Sequence, residues 1–171
     1  MARTGILRIL AVSALATVCL LHIARAQADT VTDWNVIALN ATAVPPNAIL
    51  QSRALAIVHG AIYDAVRAVD RKSGVYAVNL EAPAGTLVEA AVAAAAHGTL
   101  VRLAPAQQPV LDAALNVSLS NIPDGPGKIA GIALGGQIAE KTVALRSSDG
   151  ADAKVTFTPK AGAGLYQLTP P

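Results

Sequence analysis

The chain has 171 residues, enough for one domain, and 53% of them are hydrophobic. Three of its 13 basic residues (Arg3, Arg8 and Arg25) lie in the N-terminal stretch 1–28, so 10 basic residues remain beside 11 acidic ones in the rest of the chain. These charges are scattered, no block of Lys and Arg remains, and only 3% of the residues are aromatic. The composition therefore excludes nucleic-acid binding from the expected functions.

The N-terminus has the three parts of a secretory signal peptide. Arg3 and Arg8 precede an apolar run over 9–21, and small residues follow in AlaArgAla and AlaGlnAla. The apolar run is shorter than the ~20 residues that a membrane-spanning helix needs. We therefore expect a signal peptide over residues 1–28 with cleavage after Ala26 or Ala28. The mature protein is then periplasmic or extracellular, with no membrane association.

The only cysteine, Cys19, lies inside this predicted signal peptide. Lipid attachment at Cys19 is disfavoured, because Val18 stands where a lipoprotein signal has a small residue and Ala16 where it usually has leucine. The mature chain then forms no disulfide, so its core alone must hold the fold.

The first helix of the mature chain is predicted to begin at ThrAspTrpAsn (32–35), with Thr32 as the N-cap and Asp33 in the first turn. We interpret Trp34, the only tryptophan, as a packing anchor. ProPro (45–46) ends this helix and places a proline at the start of the next one.

The stretch from Ile49 to Val69 has the pattern of one long helix that is apolar around most of its circumference. Such a helix is surrounded by protein or lipid, and its internal charges argue against lipid. We therefore interpret it as the central helix of a bundle. Its polar strip is narrow and consists of Arg53, Gly60, Asp64 and Arg67, where another segment of the chain can pass close to the helix. Asp64 and Arg67, three residues apart, can also pair with each other.

A loop is predicted over 70–85, and the next helix begins at the capping box ThrLeuValGlu (86–89) and runs to about Leu103. The alanine block over 90–96 favours the helix and indicates close packing, because small side chains let another helix approach.

Two further helices are predicted, from about Gln108 to Ser120 and from about Pro126 to Arg146. The first has one apolar face, and the second carries glycines that allow close helix contact. The apolar face consists of Val110, Leu111, Ala114, Leu115 and Leu119, and the glycines are Gly131, Gly135 and Gly136.

Residues 151–171 are rich in Gly and Pro and carry little core of their own. We expect an extended arm there that packs on something or is disordered. The sequence thus predicts an all-α fold: a helical bundle of about five helices over 29–150, preceded by the signal peptide and followed by this Gly/Pro-rich connector or arm.

The polar residues of these helices do not predict a catalytic constellation. His59 and Asp64 are five residues apart, about 140° around a helix of 3.6 residues per turn, whereas two ligands on one helix are three or four apart. His59 shares a face with Tyr63, and we interpret it as a buried histidine bonded to a neighbour. His97 has no carboxylate three or four residues away and is interpreted as a core or interface histidine. No catalytic, cofactor-binding or metal-ligating residue is predicted.

Several pieces of the chain occur in a characteristic order. They are ValThrAspTrpAsn (31–35), GlnSerArgAlaLeuAlaIleValHisGlyAlaIleTyrAspAlaVal (51–66), AlaAlaAlaHisGlyThrLeu (94–100), LeuAlaPro (103–105), AlaLeuArgSerSerAspGly (144–150) and ThrProPro (169–171). Together they resemble the N-terminal half of bacterial vanadium-dependent haloperoxidases, which are relatives of the type 2 phosphatidic acid phosphatases. Arg53, His59 and Asp64 match the N-terminal signature of that family, and the resemblance implies an architectural role for them.

The resemblance implies that the complete family member oxidises halide with hydrogen peroxide or hydrolyses a phosphate ester. The vanadate or phosphate is then held in a later helical bundle by Lys-x6-Arg-Pro, Ser-Gly-His and Arg-x5-His-x3-Asp motifs, none of which occurs in this chain. We therefore expect a truncated scaffold that is not active alone, holds no cofactor itself, and partners a missing C-terminal catalytic bundle or further copies of itself. The alternative is a stand-alone exported α-helical binding module.

Overall fold

The computed structural model describes residues 29–43, 47–156, 158–160 and 162–167. The predicted signal peptide, the prolines at 45–46 and the terminal ThrProPro lie outside these residues. No helix among the described residues is long and apolar enough to cross a membrane.

Five α-helices and one 3₁₀ turn make up the regular structure of the described residues. They are α1 (Thr30–Ala41), α2 (Ala48–Asp70), α3 (Val88–Leu103), the 3₁₀ turn (Pro105–Gln107), α4 (Gln108–Ser120) and α5 (Pro126–Arg146). The predicted all-α bundle is therefore confirmed. The helices predicted over 108–120 and 126–146 have the bounds that were expected.

The start of α1 differs from the prediction. Its N-cap is Asp29 and not Thr32. One carboxylate oxygen of Asp29 accepts hydrogen bonds from both the backbone N–H and the hydroxyl of Thr32, each at 2.9 Å. A carboxylate at the N-cap also suits the positive end of the helix dipole, and this N-cap lies three residues before the predicted one.

The predicted capping box at the start of α3 is wrong. The Thr86 hydroxyl donates to the carbonyl oxygen of Pro83 at 2.7 Å, so it belongs to the preceding turn. The N-cap is Leu87, which has no side-chain capping bond. The backbone N–H of Leu87 instead donates to the carbonyl oxygen of Gly127 at 3.1 Å, at the start of α5. The start of α3 is thus fixed by a tertiary contact that local spacing does not reveal.

The central helix is α3 and not α2, as the apolar pattern had suggested. Helix α3 contacts each of the other four helices and contributes to both clusters of the core. One cluster joins it to α1, α2 and α4 around Trp34, which is fully buried as the predicted packing anchor. The other cluster joins it to α2, α5 and the loop around Ile138. Helix α2 is correctly predicted as a long helix, but Ile49 and Leu50 at its start are 80% and 59% exposed.

Helix α4 buries less of its apolar face than predicted. Only Leu111 is fully buried, Ala114, Leu115 and Leu119 are half-buried, and Val110 is 64% exposed. Helix α4 packs mainly on α3 and less on α1, so part of its predicted apolar face stays exposed to solvent.

The most extensive helix contact is between α3 and α5, and it depends on two of the three predicted glycines. A Cβ atom on Gly131 would lie 2.6 Å from the carbonyl oxygen of Leu87. A Cβ atom on Gly135 would lie 2.7 Å from the Cβ of Ala94 and would collide with the carbonyl oxygen of Ala91. The third glycine, Gly136, has nothing within 4 Å, so its predicted part in this contact is wrong.

We expect Gly135→Ala to destabilise the protein by about 2 to 3 kcal/mol, because the added methyl group meets backbone of α3 that cannot move without repacking the core. Gly136→Ala, one position along the same helix, is the matched control. It should stabilise the protein by up to about 1 kcal/mol through helix propensity alone. Urea unfolding followed by circular dichroism measures both. Equal effects of the two substitutions would contradict the close approach of α3 and α5.

Candidate functional site

The polar strip of α2 holds the loop between α2 and α3 against the helix. Asp64 is fully buried. Its two carboxylate oxygens accept hydrogen bonds from three consecutive backbone N–H groups of the loop, those of Tyr76 at 2.9 Å, Ala77 at 2.9 Å and Val78 at 2.7 Å. Hydrogen bonds of this kind compensate a buried carboxylate for the water that it loses. Asp64 is therefore the anchor of the loop.

Two other members of the strip, Arg67 and Gly60, complete this contact. Arg67 donates to the Asn79 side-chain oxygen at 3.0 Å and to the carbonyl oxygen of Leu80 at 3.2 Å. Gly60 leaves room for the ring of Tyr76, since a Cβ atom there would lie 2.9 Å from the ring. The prediction that another segment passes close to the strip is confirmed. Asp64 and Arg67 both bind the loop, and this replaces the mutual pair that their spacing allows.

Arg53 joins α2 to the end of α5. Its guanidinium group donates to the carboxylate of Asp149 at 2.8 Å and to the carbonyl oxygen of Arg146 at 3.2 Å. The pKa of Asp149 is held below its ordinary value of 3.8, first by the backbone N–H of Ala151 and then by the hydrogen bond from Arg53. The sequence singled out Arg53 but gave no sign of Asp149 as its partner, because the two residues are 96 positions apart.

His59 joins α2 to α1. Its Nε2 atom lies 3.0 Å from the side-chain oxygen of Asn35, and the imidazole is half-buried. The predicted bond of His59 to a neighbouring side chain is therefore confirmed, but the predicted full burial is not, since the imidazole keeps part of its surface exposed. Tyr63, on the same face of α2, donates its hydroxyl hydrogen to the carbonyl oxygen of Gly74 at 3.0 Å. The two side chains share a face, as predicted, but they bind different segments.

His97 joins α3 to α4 through a carboxylate that local spacing could not identify. Its Nε2 atom lies 2.6 Å from the carboxylate of Asp112 on α4, 15 residues along the chain. Its ring also contacts the Trp34 ring edge-on, with centroids 6.3 Å apart and planes at 82°. A histidine held by a carboxylate is one half of a general-base arrangement, but the described residues place no hydroxyl or thiol nucleophile in hydrogen-bonding contact with this pair. The contacts support the interpretation of His97 as an interface histidine.

Two depressions of the surface have contrasting linings. One of about 820 Å³ is lined by the carboxylates of Asp29, Asp33 and Glu89, which repel an anion. The other, of about 430 Å³, lies beside α2 and is lined by His59, Tyr63 and Tyr76 among smaller residues. No group of three or more His, Cys, Asp or Glu side chains in the described part of the chain is arranged to hold a metal ion.

No protein family, curated protein or solved structure matches the chain. The resemblance to haloperoxidases therefore stays a prediction that rests on the motifs themselves. The structure adds the contacts that those motif residues make with one another and with the loop.

Asp64→Asn should destabilise the protein by about 3 kcal/mol, because an amide offers one acceptor oxygen in place of two and turns an N–H donor toward the loop. The backbone amides of Tyr76, Ala77 and Val78 should then exchange with deuterium much faster. Glu140→Gln, the same chemical change at an exposed position of α5, is the control and should alter neither quantity. Unchanged exchange at these three amides in Asp64→Asn would show that the loop is held by other contacts.

A pH titration tests the contact between Arg53 and Asp149. Because the folded pKa of Asp149 is lowered, its contribution to stability is fully present above the pKa of the unfolded chain and is lost as the pH falls through the folded pKa, below 3.8. Arg53→Gln should raise the pKa of Asp149 only part of the way back, since the N–H of Ala151 is the larger cause. The carboxyl carbon shift of Asp149 in NMR spectra measures this. An Asp149 pKa that Arg53→Gln leaves unchanged would contradict the contact.

Proposed function

We propose that this bundle is the structural half of an exported haloperoxidase-like protein, and that it supports an oxyanion-binding bundle without binding the oxyanion itself. The observation that carries the proposal is how the motif residues are used. Arg53, His59 and Asp64 match the family signature, yet each binds a different part of this bundle: the end of α5, helix α1 and the loop. These are the contacts of a scaffold.

The cations of the bundle support the same proposal. A vanadate or phosphate site needs several Arg, Lys or His donors that converge on one point. Four cations of the described bundle donate to oxygens of the chain itself. Arg53 binds Asp149, Arg67 binds Leu80, Arg71 binds Ala82 and Lys128 binds Asp124. An oxyanion would have to compete with each of these bonds separately.

A stand-alone binding module is the second candidate, and the groove of about 430 Å³ beside α2 favours it. The two candidates differ in how the isolated chain should behave. A module folds by itself and unfolds cooperatively as a well-behaved monomer or small oligomer. A scaffold without its catalytic half leaves apolar surface bare and tends to aggregate or to lose fixed side-chain packing.

The genomic DNA beyond codon 171 provides the direct test. The scaffold proposal predicts a reading frame there, in phase or shifted, that encodes Lys-x6-Arg-Pro, Ser-Gly-His and Arg-x5-His-x3-Asp motifs. If no frame encodes them, the proposal fails and the binding module takes its place.

An assay of the purified chain completes this test. We expect neither vanadate-dependent oxidation of bromide by hydrogen peroxide nor hydrolysis of a phosphate ester above the level of a buffer control. Either activity, if it is lost when Arg53 is replaced by Gln, would show instead that the polar strip of α2 performs the chemistry.

A further inference from the structure

Residues 71–75 form an open stretch between the end of α2 and the part of the loop that Asp64 anchors. They belong to no helix or strand, and all of them are exposed. Arg71 adopts the left-handed backbone conformation with φ at 55°, and a Cβ atom on Gly74 would meet nothing within 4 Å. We call residues 71–75 the open segment. Exposed loops of small and polar residues are the places where proteases cut folded proteins.

Few hydrogen bonds hold the backbone of the open segment beyond the end of α2. The N–H of Lys72 donates to the carboxylate of Asp70 at 3.1 Å, and the carbonyl oxygen of Gly74 accepts from the Tyr63 hydroxyl at 3.0 Å. The backbone of residues 72–75 makes no other hydrogen bond to the part of the chain that the structure describes. Both bonds are exposed, and water offers the same partners. The segment can therefore extend into a protease active site without opening the core.

The open segment also carries basic residues that no helix protects. Within 29–43 and 47–150, Arg71 and Lys72 are the only Lys or Arg residues outside a helix. The basic residues inside helices are Arg53, Arg67, Arg102, Lys128, Lys141 and Arg146. A protease binds several residues in extended form, so these are cut only after a helix opens. Lys154 and Lys160 lie in the arm, where a cut leaves the bundle whole.

The side chain of Lys72 is more available to a protease than that of Arg71. The guanidinium group of Arg71 donates to the carbonyl oxygen of Ala82 at 3.1 Å and lies 3.5 Å from the carboxylate of Glu81. The Lys72 ammonium group makes no hydrogen bond or ion pair with any described residue. A trypsin-like protease takes the basic side chain into an acidic pocket. Lys72 enters this pocket without breaking a bond, whereas Arg71 must first leave Ala82, so the bond after Lys72 is favoured.

The parts of the chain on the two sides of this bond are held together by the rest of the fold. Asp64 precedes the bond and accepts the N–H groups of Tyr76, Ala77 and Val78, which follow it. Both clusters of the core also join residues that precede the bond to residues of α3. Hydrolysis of the bond thus removes one covalent connection and none of these contacts.

We propose that the open segment is a site of limited proteolysis by an endopeptidase specific for basic residues. Water adds across the peptide bond between Lys72 and Ser73, so that Lys72 gains a carboxylate and Ser73 gains an amino group. One piece then contains α1 and α2, the other contains α3, α4 and α5, and the two stay associated as one folded body. This goes beyond the proposed function and does not depend on it, because it rests on the loop alone.

Digestion of the purified, folded chain with trypsin, followed by intact-mass spectrometry, tests the site. Apart from cuts in the arm, the first pair of products should end at Lys72 and begin at Ser73. The rate of this cut should change by less than about 2-fold at urea concentrations well below the unfolding midpoint, because local opening exposes little surface. A first cut inside a helix of the bundle would overturn the proposal, as would a rate that follows global unfolding.

Two single substitutions identify the bond that is cut. Lys72→Gln should slow trypsin cleavage of the open segment about 10-fold, because Arg71 has to give up its hydrogen bond before a protease can bind it. Arg71→Gln is the matched control and should leave the rate at or above that of the unmodified chain. Circular dichroism spectra like that of the unmodified chain show that both variants are folded. Cleavage that Lys72→Gln does not slow, or that Arg71→Gln slows equally, would overturn the assignment of the bond.

Size-exclusion chromatography of the cut protein tests whether its two pieces stay together. At micromolar concentration they should elute as one peak at the position of the uncut protein and keep its helical circular dichroism signal, while denaturing electrophoresis separates them. The urea midpoint of the cut protein should rise with concentration more steeply than that of the uncut chain, because its folding requires two pieces to associate. Separate peaks, or loss of the helical signal on cleavage, would overturn the proposed association.

Discussion

The close approach of α3 and α5 is the constraint on which the rest of the bundle depends. The alanine block of α3 is fully buried, so it leaves no bulky side chains to fill the space between helices. A core of small residues is densely packed only if the neighbouring backbone comes very near, and Gly131 and Gly135 make this possible. With few aromatic side chains and no predicted disulfide, close packing of small residues replaces the burial of large ones.

The buried carboxylate of Asp64 stabilises the segment between α2 and α3 at the point where that segment meets the core. Helices α2 and α3 are joined by a long segment without helix or strand, whose backbone N–H groups need partners where it meets the core. Asp64 accepts three of them, and Val78 of the same segment is buried in the core cluster beneath. The Asp64 carboxylate therefore supplies the hydrogen-bond acceptors that a neighbouring strand would provide to this loop.

The sequence predicts the parts of this fold that local chemistry controls. Prolines and helical spacing place α4 and α5 correctly, and the narrow polar strip of α2 correctly indicates a passing segment. The errors arise where a distant group decides the outcome. The backbone of Gly127 takes the place of the expected capping box at α3, and Asp112 supplies the carboxylate that His97 lacks on its own helix. The exposed start of α2 is a further case, because apolar spacing alone cannot show which side of a helix has a neighbour.

The directions of the three signature residues bear most directly on function. A catalytic set points its side chains toward one reacting atom, because proton transfer and charge stabilisation act over hydrogen-bond distances. Arg53, His59 and Asp64 instead reach the end of α5, helix α1 and the loop, and each is already bonded there. A spacing of six and then five residues along α2 carries them to three separate neighbours. The three residues thus tie one helix to three other segments, and this use of the signature is the observation behind our proposal that a different bundle carries the chemistry.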